Sequence, residues 1–181
     1  ADFNLADGPA WDGWSLTIPD PLAEETKQFI PAKSDWQTSL KGQRLSACFY
    51  NHGTLYFADN GQGTILQRAE DKSLTAIHQE DFKSDNTRKP NDLVVDRSGG
   101  VYFTLTRAGQ VVYIPKGKKG IVVADDAETA NGLILSPDES ILYVSEAAPK
   151  RILAYEVGPA GKLSNRRVLA TMDDGDPKSK A

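Results

Sequence analysis

The sequence predicts an all-β fold assembled from repeated four-stranded modules, and two observations carry that expectation. The first is a repeat: PNDLVVDRSGGVYF at 90–103 returns forty residues later as ANGLILSPDESILYV at 130–144, and a looser copy, RLSACFYNHGTLYF, precedes both at 44–57. Each copy runs a short apolar strand into a polar turn (DRSGG, SPDES, NHG) and out into a second strand that carries an aromatic residue. Self-similarity at such a period marks a modular architecture, in which equivalent positions of successive modules come together in space. The second observation is that no segment carries a convincing amphipathic helical period.

Taken in order, the first module is degenerate. GPAWDG (8–13) and SLTIPD (15–20) match the opening strands of the others, while PLAEETKQFIPAK (21–33) holds either another strand or a short irregular insertion. The second module reads LSACFY (45–50), TLYFAD (54–59), TILQRA (64–69) and LTAIHQ (74–79). The third is the clearest: LVVD (93–96), VYFTL (101–105), QVVYI (110–114) and IVVAD (121–125) are β-branched runs divided by Gly, Pro, Lys and Asp turns. The fourth repeats it with GLILS (132–136), ILYVS (141–145), ILAYEV (152–157) and, after the loop GPAGKLSN, RRVLATM (166–172).

A four-strand unit of about 40–45 residues repeated around an axis is a propeller blade. A β-sandwich is the alternative, but it gives no reason for each unit to restart with the same short motif. The expectation is therefore one β-propeller domain over residues 1–181, supplying about four blades. Four blades rarely close a ring, and a fifth unit would begin at MDDGDPKSKA (172–181). The sequence thus reads as part of a longer polypeptide, with the remaining blades supplied by a continuing chain or a second chain.

The 181 residues are 39% hydrophobic and 25% charged, ordinary for a soluble globular chain. A net charge of −4 argues against a broad phosphate-binding surface, so no nucleic-acid partner is expected. KGKKG at 116–120 reads as a solvated turn. No apolar run approaches the roughly 18 residues of a membrane span, so no membrane partner is expected either. The chain does not open with the charged and apolar regions of a signal peptide, which leaves the compartment open between the cytoplasm and export after signal removal. Cys48 is the sole cysteine, so these residues contain no internal disulfide, and its place in LSACFY reads as a small buried hydrophobe.

Chemistry is concentrated at one phase of the repeat. Asn91 in PNDL, Asn131 in ANGL and Asp7 in DGPA all fall just ahead of the first strand of their modules. In a propeller that strand lines the central channel, so residues entering it at the same end face one another across the axis. Two amides and one carboxylate offer only oxygen donors, which suit Ca²⁺, Mg²⁺ or Mn²⁺ better than a structural zinc. The bland alternative is that Asn and Asp cap turns and tolerate unusual backbone angles; it accounts for each residue singly and less well for three at one phase.

Other residues carry less. His52 in the NHG turn and His78 near a strand end read as solvated or packing side chains. GQGTIL (61–66) leads into a strand, so it lacks the helix N-terminus a phosphate loop needs. Trp11, Trp14 and Trp36 read as core packing in the first module.

PNDLVVDRSGGVYFT, ANGLILSPDESILYVSE and the opening DGPAWDG closely resemble the senescence marker protein/gluconolactonase/regucalcin family of six-bladed propellers. LSNRRVLATMDDG looks like that family's approach to its fifth blade. The resemblance covers nearly the whole chain, best at 88–175. It implies a lactone hydrolase with one divalent cation in the channel, Ca²⁺ foremost and Mg²⁺, Mn²⁺ or Zn²⁺ as alternatives. It also implies Asp7 and Asn131 as metal ligands, with Asn91 beside both metal and substrate and Asp92 next to it. Asp7, Asn91 and Asp92 are the catalytic candidates that follow, and the substrate is a small-molecule lactone.

Two departures from the family pattern stand out. Its opening EGP is DGP here, which draws the carboxylate back by about 1.5 Å. Its third ligand, an Asp in a PDG motif of the next blade, would fall just past Ala181. The position two before Asn91, often a substrate-binding Arg in the family, is Lys89, with Arg88 beside it; either can meet substrate oxygens, though Lys offers a point charge and not a fork. Two rivals follow from the same fold: a propeller that binds a ligand or protein partner without catalysis, and a lyase or synthase resembling strictosidine synthase.

Overall fold

The computed structural model describes residues 2–69, 71–81 and 85–172. Residues 173–181, where the sequence places the start of a fifth unit, lie outside them. The described chain forms four antiparallel sheets of four strands each. Blade 1 comprises β1 (Ala10–Trp11), β2 (Leu16–Asp20), β3 (Glu25–Ile30) and β4 (Asp35–Lys41). Blade 2 comprises β5 (Leu45–Asn51), β6 (Thr54–Asp59), β7 (Thr64–Arg68) and β8 (Leu74–Gln79). Blade 3 holds β9 (Pro90–Val95), β10 (Val101–Leu105), β11 (Gln110–Ile114) and β12 (Ile121–Ala124). Blade 4 holds β13 (Ala130–Leu135), β14 (Ile141–Glu146), β15 (Arg151–Val157) and β16 (Leu163–Thr171). Among the described residues no helix is long and apolar enough to cross a membrane.

In every blade the strands are ordered as in the chain, and β5 lies against β9, which lies against β13. The first strands are therefore innermost, as expected of LVVD and GLILS, and the fold is a propeller. What holds the blades face to face is the two-residue alternation of strands buried on both sides. In β10, Val101, Phe103 and Leu105 pack toward blade 2 with Ala47, Ile65 and Leu93. Tyr102 on the opposite face packs toward blade 4 with Leu133, Leu142 and Val144. Burying a side chain of this size stabilises by about 1.5–3 kcal/mol, so these layers between blades form the core.

Three expectations need correction. Blade 1 is not degenerate: it has a full fourth strand, β4, whose DWQTSLK is mostly exposed and so lacks the apolar run that reveals buried strands. The last strand of blade 4 starts at Leu163, inside the segment read as a loop, because Leu163 and Ser164 pair with Val157 and Glu156. Packing describes only Trp36, half-buried against Phe3 and Phe29; Trp11 is 52% and Trp14 84% exposed.

Candidate functional site

Three β-bulges build the head of the channel. In β9 the register slips between Pro90↔Leu105 and Leu93↔Phe103, so Asn91 and Asp92 together oppose Thr104. In β13 it slips between Ala130↔Glu146 and Leu133↔Val144, so Asn131 and Gly132 together oppose Ser145. β5 slips at the equivalent place, around Ser46. A bulge re-aims a side chain and takes a backbone N–H out of the ladder, and a buried N–H needs a new partner. Both Asn-bearing blades supply a hydroxyl. The Asp92 N–H donates to Thr104 Oγ1 at 3.2 Å, and the Gly132 N–H to Ser145 Oγ at 2.9 Å.

Neighbouring blades then grip each motif. Ser46 Oγ donates to the Asn91 carbonyl at 2.6 Å, and Thr104 Oγ1 donates to the Asn131 carbonyl at 2.6 Å. The Cys48 N–H donates to the Gly8 carbonyl at 2.8 Å, which fixes the segment carrying Asp7 on β5. Gly8 has φ +39°, and a Cβ there would lie 2.4 Å from the Ala47 Cα, so only glycine allows this approach.

Two carboxylates face this region. Asp7 Oδ1 accepts from the Gly8 N–H at 3.0 Å; burial pushes its carboxyl above the usual range, and that hydrogen bond offsets the rise only in part. Asp92 spans a blade seam, with Oδ1 accepting from the Leu93 N–H at 2.8 Å and Oδ2 from the Leu133 N–H at 3.1 Å. Burial lifts Asp92 to about 6 against those two N–H donors, and the negative charge of Asp7 pushes it the same way. Asn91, Asp92 and Asn131 thus sit at one end of the adjacent inner strands β9 and β13, and Asp7 lies near enough to Asp92 for its charge to act on it. Among the described residues no three His, Cys, Asp or Glu side chains stand together as a metal cluster, so a cation at this end would rest on amide as well as carboxylate oxygens.

Arg88 is placed differently. Its Nε donates to Glu80 Oε2 at 2.7 Å and its Nη1 to Gln110 Oε1 at 3.1 Å. Glu80 is buried and also takes His78 Nε2 at 2.9 Å. Burial would raise Glu80, but the hydrogen bonds from His78 and Arg88 prevail and hold it below the usual range. His78, 5.3 Å from the Phe103 ring, is therefore a packing residue as expected, with a carboxylate hydrogen-bond partner the sequence did not reveal. Lys89 is half-buried just ahead of β9, and His52 sits exposed in the β5–β6 turn with φ 44°. Sequence reasoning passed over Ser46, Thr104 and Ser145. For Thr104 and Ser145 the signal was a hydroxyl residue late in the second strand of modules three and four, VYFTL and ILYVS, whereas Ser46 lies in the first strand of module two.

Residues 5–179 match the family described as the SMP-30/Gluconolactonase/LRE-like region. The chain is 25% identical over 207 residues to the gluconolactonase of Zymomonas mobilis subsp. mobilis, an alignment that covers 93% of this chain and 57% of that protein. It is 29% identical over 147 residues to lactonase drp35 of Staphylococcus aureus, covering 74% of this chain and 42% of that one. Among solved structures, a gluconolactonase of Xanthomonas campestris superposes with a TM-score of 0.80 at 22% identity, covering 96% of this chain and 65% of that chain. The chain therefore spans between 42% and 65% of the length of these relatives. With the match running over nearly all of its residues, it belongs to the SMP-30/gluconolactonase/LRE-like family.

Proposed function

We propose that the protein is a divalent-metal-dependent hydrolase acting on a sugar lactone or a related ester. The observation that carries this reading is the paired bulge, which sets Asn91 and Asn131 at one register beside two mutually repelling carboxylates, Asp7 and Asp92. Family membership and the lactonase names of the relatives point the same way. The donor set fits a hard cation in kind: carboxylate and amide oxygens are Ca²⁺ ligands, and a positive charge relieves carboxylates raised by burial and like charge.

In this reading Asp7 and Asn131 hold the cation. When bound, it polarises the lactone carbonyl and acidifies a water. Asn91 offers its amide N–H₂ to substrate oxygens, and Lys89 adds a positive point charge. Asp92 in its ionised form takes one proton from the attacking water as its oxygen adds to the carbonyl carbon. The ring C–O bond then breaks, the leaving alkoxide takes that proton back from Asp92, and the product is the open hydroxy acid. The partners of the reading are the lactone and, for the remaining blades, a continuing or second chain.

The test uses the full-length protein. Asn131→Ala should weaken Ca²⁺ binding by calorimetry and slow gluconolactone opening in a pH-stat, while Lys33→Ala changes neither. Asp92→Asn should lower kcat by about 10²–10⁴-fold, the range of general-base catalysis, and flatten the acid limb of the pH–rate profile. Lactone hydrolysis untouched by Asn131→Ala would sink the catalytic reading in favour of a propeller that binds a ligand or protein partner.

A further inference from the structure

A groove of ≈ 660 Å³ opens between blades 2 and 3, at the end of β9 remote from Asn91. Its floor is apolar, formed by Ile77, Val101 and Ile114. Its rim is basic: Arg97 from the β9–β10 turn and Lys116 and Lys118 from the β11–β12 turn, with His52 across from them. Among the described residues no Asp or Glu lines it, in a chain whose net charge is −4.

Arg97 is already committed. Its backbone N–H donates to Glu139 Oε1 at 2.9 Å, its guanidinium lies 3.7 Å from the same carboxylate, and it also donates to the Pro137 carbonyl. The two lysines have no such partner among the described residues, and Lys116 lies over Gly99 with its side chain 3.3–3.8 Å from where a Cβ would sit. The turn KGKKG is solvated, as its composition indicates, yet its Lys116 and Lys118 both line the one hollow with an apolar floor. Like charges gathered beside low-dielectric walls raise the local potential for an anion, and an apolar floor under a few convergent polar groups is the usual form of a small-molecule site.

We propose that this groove binds a small organic anion, with the compact apolar body on the Ile77–Val101–Ile114 floor and the acidic head on Lys116 and Lys118. The site is separate from the Asn motifs and does not rest on the lactonase reading. Phenyl phosphate is a suitable probe, with inorganic phosphate and phenol as its two halves. In a ¹⁵N–¹H titration of the protein, phenyl phosphate should shift the amides of 51–54, 97–101, 114 and 116–118, and each half alone should bind at least about tenfold more weakly. The double variant Lys116→Glu/Lys118→Glu should weaken the probe by at least about tenfold. Thr54→Trp, which fills the groove without changing charge, should do the same. Lys33→Glu/Lys41→Glu makes the same charge change on blade 1 and should leave binding intact. Equal losses in both charge variants, shifts scattered over β1 and β16, or unaltered binding in Thr54→Trp with native amide dispersion would each overturn the proposal.

Discussion

Asp92 shows how one residue can serve structure and chemistry at once. Each of its oxygens takes a backbone N–H, one from its own blade and one from the next, and each keeps a second lone pair. Those bonds stabilise the carboxylate, yet burial prevails and carries it to about 6. The sequence exposed the position, since Asn91 and Asp92 recur at the phase of Asn131 and Gly132. It did not expose the shift, which depends on Leu133 of another blade and on Asp7, far away in the chain. Folded Asp92 keeps its proton up to about 6, whereas the unfolded chain releases it near 3.8. Between those values the native state binds more protons, so stability is undiminished below the window and falls as pH rises through it. Going from below 3.8 to above about 6, the urea midpoint should rise more, or fall less, in Asp92→Asn than in the parent chain, because the variant lacks the one contribution that falls with pH. An equal difference in the two would show that Asp92 does not titrate in that window.

At the scale of elements, the strands of blades 2–4 were legible because they are β-branched or aromatic runs broken by turn residues. β4 was not, because an exposed outer strand needs no apolar face and DWQTSLK carries none that repeats. The bulges were invisible for another reason. The sequence shows which residues alternate, but a slipped register is a relation between two strands. Thr104 is where that relation becomes testable. It is fully buried, it accepts the N–H freed by the β9 bulge, and it passes its own proton to the Asn131 carbonyl in the next blade. Thr104→Val keeps the shape and strands both groups. Leaving one buried polar group unsatisfied costs about 1–3 kcal/mol, so the variant should lose at least about 2 kcal/mol by chemical denaturation. Thr104→Ser should recover most of it. A neutral Thr104→Val would mean that the bulges hold themselves without the hydroxyl.

For the whole molecule, the restarting motif was enough to give the propeller and the inner position of each first strand. It also implied that the outermost blades would have bare sides, and the burial pattern agrees. In β13, Leu133 is buried toward blade 3 while Ile134, next in the strand, is 51% exposed on the far side. Leu169 on β16 is also exposed, and blade 1 shows Trp11, Trp14 and Leu22. Contiguous exposed apolar surface on a folded chain marks a place of association. Contact between blade 4 of one copy and blade 1 of another joins unlike surfaces, so it does not stop at a dimer unless the ring happens to close. The 181-residue chain should therefore show an average mass that climbs with concentration in sedimentation equilibrium. Ile134→Lys with Leu169→Lys puts two charges where apolar contact would form, and should hold the mass near that of one chain with the strand circular-dichroism signal unchanged. A parent chain that stays monomeric throughout the range would show that these flanks are tolerated bare. A charged variant that associates as strongly as the parent would place the contact elsewhere, on strand edges and not on the apolar side of blade 4.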